Sequence, residues 1–189
     1  MLNEVLDTPW KAVLEIKRIL YHPFVVLYLK LNGVKLGKNT KWYGFPLINR
    51  HRSSEIIIGD RVEVRNWKDS NPLGVIHPLI LTTWSKNSKI IIGNDVGISG
   101  GSICSAVSIN IGKGTLVGAN STIIDTDFHP IKSKSRRYDK KNVKSIPVQI
   151  GSNSFIGMNS IILKGVKLAD NFVVPAGSVV SRSSNNDVK

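Results

Sequence analysis

Residues 150–180 read IGSNSFIGMNSIILKGVKLADNFVVPAGSVV. Ile150, Ile156, Ile162, Leu168, Val174 and Val180 stand six residues apart without a break. A helix repeats every 3.6 residues and an ordinary strand every two, so neither gives this spacing. A short strand followed by a turn does, when coil stacks on coil. The aliphatic side chain then points inward and piles on its counterpart in the next coil. Each coil buries its inner face only against its neighbours, so several are needed for stability. The period predicts a mainly β chain folded as a parallel β-helix solenoid.

The same period runs upstream. Ile92 and Ile98 are six apart, with Cys104 next; after a one-residue slip come Ile111, Val117 and Ile123. Glycine or a small residue follows many of them: Gly93, Gly112, Gly118, Gly151, Gly157 and Ala169. Leu36-Gly37-Lys38-Asn39-Thr40 and Ile58-Gly59-Asp60-Arg61-Val62 read as the first units. On this count Cys104 occupies an inward position and belongs to the core. Two stretches interrupt the pattern. Residues 66–89 hold a degraded coil around Ile80 with a loop before it. Residues 129–149 form a loop excursion with Lys132, Lys134, Arg136, Arg137, Lys140, Lys141 and Lys144 against one acid, Asp139. That loop reads either as a solvated basic surface or as a clamp for an anion.

Ahead of the solenoid, residues 1–31 form a helical segment. Val13, Ile16, Leu20, Phe24, Leu27 and Leu31 recur at helical spacing, Thr8-Pro9 suits a helix start, and Pro23 predicts a kink or split near His22. The segment reads as a helix packed on the domain or a neighbouring subunit. Lys11, Lys17, Arg18 and Lys30 also allow a peripheral membrane contact. The expected organisation is a helical segment at 1–31, a β-helix domain at 32–184, and a tail at 185–189.

Composition narrows the class. The 189 residues are 41% hydrophobic and 21% charged, which suits one globular domain. The formal charge of +13 favours anionic partners. No nucleic-acid-binding fold is recognisable, so nucleic acid is not expected. A single cysteine excludes an intrachain disulfide and suits a cytoplasmic chain. Glu4, Asp7 and Glu15 argue against a signal peptide, and no run of about 18 apolar residues predicts a spanning helix. No two histidines stand at a spacing that would share zinc, so no metal is expected and a γ-class carbonic anhydrase reading is disfavoured.

The excursion begins after Ile123 in IIDTDFHP, residues 123–130, and places His129 where the repeat stops. The pattern resumes at Ile150. An imidazole where the regular scaffold breaks off marks the place for chemistry. His22, His51 and His77 read as structural. Asp125 and Asp127 either orient the imidazole or the acceptor, or are solvated turn residues.

These units, IIDTDFHP, the basic excursion, and PVQIGSNSFIGMNSIILKGVKLADNFVVPAGSVVSRS together resemble the hexapeptide-repeat acyltransferases. The likeness is closest to maltose and galactoside acetyltransferases and to capsule and exopolysaccharide O-acetyltransferases. It covers roughly residues 33–182. It implies a left-handed parallel β-helix, a homotrimer, and acetyl-CoA bound in the cleft between neighbouring subunits. It implies His129 as the catalytic base and the Met158 amide as donor to the thioester oxygen. Gly157, Met158, Ala176, Ser181 and Arg182 would contact the cosubstrate, with Arg182 where the family usually has lysine. Asp127 and Ser99 are nominated for the acceptor. Phe155 stands where tryptophan is common and Pro175 where glycine is usual. The Gly-Asn-Pro-Ala segment that usually completes the adenine end of the pocket does not follow.

The activity expected from the resemblance is transfer of an acetyl group from acetyl-CoA to a sugar hydroxyl of a surface polysaccharide or its precursor. The same histidine would serve N-acylation of an amino sugar or amino acid. A non-catalytic scaffold is the remaining reading.

Overall fold

The computed structural model describes residues 7–184. Residues 1–6 of the expected helical segment and the expected tail at 185–189 lie outside the described residues. The first coil contains β1 (Lys35–Leu36), β2 (Lys41–Tyr43) and β3 (Leu47–Arg50). The second contains β4 (Glu55–Ile58), β5 (Glu63–Arg65) and β6 (Ile80–Thr83), and the third β7 (Lys89–Ile92), β8 (Gly97–Ser99) and β9 (Ser102–Ser105). The fourth contains β10 (Ser108–Ile111), β11 (Leu116–Val117) and β12 (Thr122–Ile124). β13 (Val148–Ile150), β14 (Phe155–Ile156) and β15 (Ile161–Ile162) make the fifth. β16 (Lys167–Leu168), β17 (Val173–Val174) and β18 (Val179–Val180) make the sixth.

Each strand pairs in parallel with the strand three places on, giving three sheets of six strands. This is the left-handed parallel β-helix. The first sheet stacks Leu36, Ile58, Ile92, Ile111, Ile150 and Leu168. The second stacks Trp42, Val64, Ile98, Val117, Ile156 and Val174. The third stacks Ile48, Leu81, Ile103, Ile123, Ile162 and Val180. Nearly all of these belong to one buried cluster. Each fully buried aliphatic side chain stabilises the fold by about 1.5–3 kcal/mol.

The small residue after each inward position has a steric cause. A Cβ on Gly157 would stand 2.4 Å from the Ala176 nitrogen one coil away. The backbones of adjacent coils meet there with no room for a side chain.

One inward assignment changes. Ile103, not Cys104, sits in the third-sheet ladder, and Cys104 faces outward and is half-buried. Gly100 and Gly101, with φ of 59° and 85°, close the corner one residue early. The corner after the third sheet, through Ser105 and Ser108, is longer in compensation. Two glycines in the left-handed region are a feature that a fixed six-residue count does not anticipate.

The helix α1 (Pro9–Leu31) has Thr8 as its N-cap. It runs through Pro23 as one element and does not split near His22. Leu14, Val25 and Leu29 are buried, and Val25 and Leu29 join the solenoid cluster with Val34 and Trp42. The helix therefore closes the open end of the first coil. Tyr21 stands edge-on to Trp67 at 5.6 Å, and the Tyr43 hydroxyl donates to Glu15. The apolar stripe that defined the helix in the sequence faces the other way. Val13, Ile16, Leu20, Phe24, Leu27 and Leu31 are 56–78% exposed. No helix among the described residues is long and apolar enough to cross a membrane.

Candidate active site

The excursion leaves the third sheet at the end of β12 and returns to the first sheet at β13. A short antiparallel bridge between Thr126 and Ser145 closes its base. The Asp127 N–H donates to Lys144 O at 3.0 Å and the Ile146 N–H to Asp125 O at 2.8 Å. The loop thus rises from a hydrogen-bonded stem.

Two carboxylates hold that stem. Asp125 is fully buried, not a solvated turn residue. It accepts from the Ala106, Val107 and Ser108 N–H groups at 2.6–2.9 Å and from the Ser105 hydroxyl at 2.8 Å. It fixes the long corner of the third coil beneath the excursion. Asp127 accepts from Lys164 Nζ at 2.5 Å, one coil further on. Its second oxygen is buried with no partner among the described residues. The charge of Asp127 is therefore balanced by Lys164, not held in reserve for the imidazole.

Past the stem, Phe128 takes a φ of 59° and turns the chain outward. Its ring stands edge-on to Trp84, 5.8 Å between centroids at 86°. His129 follows, exposed to solvent, with its backbone N–H on Asp127 O at 2.6 Å. The imidazole opens on a cavity of about 860 Å³, which Trp84, Thr126, Phe128, Arg137 and Lys140 also line. Trp84 and Phe128 also border a second cavity of about 840 Å³, which reaches Cys104, Arg50 and Leu31. The aromatic pair is the partition between them. Arg136 folds back onto Pro130 O and Ile131 O. Arg137 and Lys140 thus bring positive charge to the wall beside His129.

The nominated donor lies across the third sheet. Gly157 and Met158 form the corner between β14 and β15, where the second sheet meets the third. His129 leaves from the corner between the third sheet and the first. Within one chain, the width of the third sheet separates them. At three corners after the first sheet a side chain of the next coil caps the equivalent amide. Asp60 accepts from the Lys38 N–H, Asn94 from Asp60 and Asp170 from Ser152. At Met158 the next coil offers Ala176, whose side chain has no acceptor. Among the described residues the Met158 N–H has no hydrogen-bond partner. Ala176 continues that edge, and exposed Ser181 and Arg182 lie on the edge of the excursion, two coils beyond it.

The profile described as "Hexapeptide repeat of succinyl-transferase" matches residues 147–182, the stretch in which the six-residue ladders run unbroken. The chain carries a segment similar to that repeat there. It is 35% identical over 75 residues to the galactoside O-acetyltransferase of Escherichia coli (strain K12), covering 40% of this chain and 36% of that protein. With the galactoside O-acetyltransferase of Lactococcus lactis it shares 33% over 84 residues, or 42% and 37% of the two chains. The chain thus spans just over a third of the length of these curated relatives. Its fold is similar to a mutant of AntD, an N-acyltransferase from Bacillus cereus in complex with dTDP and coenzyme A. That likeness has a TM-score of 0.62 at 21% identity, over 84% of this chain and 80% of the other.

Not all nominated residues meet. Ser99 accepts from Asn71 Nδ2 at 2.9 Å and lines a cavity of about 450 Å³ on the second sheet, with Arg61 and Phe155. Asp127 faces a cavity of about 510 Å³ under the loop, with Lys132 and Ser133. Neither lines the cavity of His129. Sequence reasoning missed Trp84, which precedes Phe128 by two coils and reaches it only because corners stack. It also missed Lys164 as the partner of Asp127. His77 Nδ1 lies 2.8 Å from Pro78 O, and His51 Nδ1 accepts from the Ser53 N–H at 3.1 Å. Among the described residues no group of three or more metal-ligating side chains could hold an ion.

Cys104 is poorly suited to a covalent role. Burial, helped by the Asp125 carboxylate, pushes its thiol up to about 11 from 9.0. Only the thiolate is nucleophilic. Near pH 8, alkylation by iodoacetamide is expected to run about 100-fold slower in the folded chain than in urea, as two pH units of thiolate fraction require. Equal rates would remove the protective role assigned to burial.

Proposed function

We propose that this chain transfers an acetyl group from acetyl-CoA to a sugar hydroxyl of a surface polysaccharide or its precursor. The observation that carries the reading is the pairing of an exposed His129 on a rigid stem with a free Met158 amide across the third sheet. One chain holds the two apart, so a second copy must bring them together. A homotrimer with its sites between subunits satisfies that geometry. The resemblance to galactoside O-acetyltransferases supports the same reaction.

In this mechanism His129 takes the proton of the acceptor hydroxyl as its oxygen bonds to the thioester carbonyl carbon. The neighbouring copy's Met158 N–H donates to the carbonyl oxygen as it becomes negative. The carbon–sulfur bond breaks, and His129 passes its proton to the sulfur. The products are an acetyl ester and a free thiol. Gly157 lets the Met158 turn lie close to Ala176, and Arg137, Lys140 and Arg182 supply positive charge for phosphates. The site would work in the cytoplasm, where acetyl-CoA and sugar precursors are made.

The experiment is thiol release from acetyl-CoA against a panel of glycans and amino sugars. Release with hydroxyl acceptors is the expected result, and release confined to amino sugars would move the reaction to nitrogen. No release, with no heat on titrating acetyl-CoA, would leave a scaffold.

A further inference from the structure

Helix α1 is apolar on both sides. One side, Val25 and Leu29, closes the solenoid. The opposite side carries Val13, Ile16, Leu20, Phe24, Leu27 and Leu31, in steps of three and four residues, all exposed. At about 1.5 Å per residue the stripe runs for roughly 27 Å. A contiguous exposed apolar stripe of this length ordinarily marks an interaction surface. Something outside the described residues must cover this one.

Charge decides between occupants. Residues 8–54, the helix and first coil, carry Lys11, Lys17, Lys30, Lys35, Lys38 and Lys41 with Arg18, Arg50 and Arg52. The only acid among them is Glu15. Lys35 meets Glu55 of the next coil at 2.6 Å, and Glu15 holds Arg18 at 2.8 Å. Lys11, Lys30, Lys38 and Arg52 are exposed with no ion-pair partner among the described residues. A second copy placed stripe to stripe would bring two such ends together, and like charges at that distance repel. An apolar stripe bordered by unpaired lysines suits the headgroup boundary of an anionic bilayer instead.

We propose that the outer face of α1 lies in the surface of a membrane containing anionic phospholipid, with the solenoid standing away from it. Lys17 and Lys30 flank the stripe, the first at 4.1 Å over the Trp67 ring. The exposed Lys30 side chain can cover apolar surface while its ammonium group reaches the phosphates. The cavity on the third sheet starts at Leu31, on the lipid side, and ends at Phe128 beside His129. The inference does not depend on the acyl-transfer reading, because it rests on the helix and first coil alone.

Vesicle flotation tests it. The full chain is mixed with phosphatidylcholine vesicles, with and without phosphatidylglycerol. The chain should float with the anionic vesicles and release at high salt. The Leu20→Glu/Phe24→Glu variant changes only exposed side chains and should keep the wild-type melting curve. It should bind at least about tenfold less. A wild-type chain that stays unbound to both vesicles would overturn the proposal, as would a folded variant that floats like the wild type. A variant that changes only the sedimentation of the assembly, while neither form binds vesicles, would assign the stripe to a second copy.

Discussion

Replacing His129 by alanine is expected to lower turnover by about 100- to 10,000-fold, the range a positioned general base supplies, and to leave the melting curve unchanged. The side chain is exposed on a loop and makes no side-chain contact that the fold needs. Its removal therefore reads out as chemistry, not folding. The KM for acetyl-CoA should stay within a few-fold, because the alanine chain keeps Met158, Arg137 and Lys140. A His129→Ala chain with near wild-type turnover would show that the base lies elsewhere. A chain that loses both activity and its melting transition would mean that the ring supports the stem.

Asp125→Ala should produce the largest loss of stability of any single change near the site. Its carboxylate satisfies three backbone N–H groups and one hydroxyl in a buried corner. A buried donor left without a partner costs about 1–3 kcal/mol; the three backbone donors are only part-buried and can recover water, which keeps the total near the low end, roughly 3–5 kcal/mol. For a chain of this size each kcal/mol lowers Tm by about 2–4 °C. The variant should therefore melt roughly 6–20 °C lower, and lose activity by loosening the stem beneath His129. Asp125→Asn should lie between, since its amide keeps one acceptor oxygen. A thermal scan of the three chains checks the order. Equal melting temperatures would show that water replaces the carboxylate and that the corner holds itself.

The solenoid was legible because its cause is periodic. Ile150 to Val180 repeat at the interval the coils impose, so the ladders could be counted from the sequence. The count failed where a corner changed length. Gly100 and Gly101 let Ile103 enter the ladder one residue early, and a fixed period moves Cys104 into its place. The position of His129 was legible as a place where the repeat stops before a proline and resumes only at Ile150. Its surroundings were not, because Trp84, Phe128 and Lys164 come together only by stacking corners from different coils. Asp125 and Asp127 look alike in IIDTDFHP, yet one is sealed under the loop and the other is paired to Lys164. Helical spacing likewise identified the stripe on α1, but spacing does not say which apolar side meets the solenoid.

The central claim is that two copies of this chain build one site. A crystal structure of the assembled protein with coenzyme A tests it most directly. The account predicts the thiol sulfur in a cleft between copies, within about hydrogen-bond reach of His129 from one and beside the Met158 N–H of the next. A monomeric complex, or a sulfur remote from His129, would contradict it.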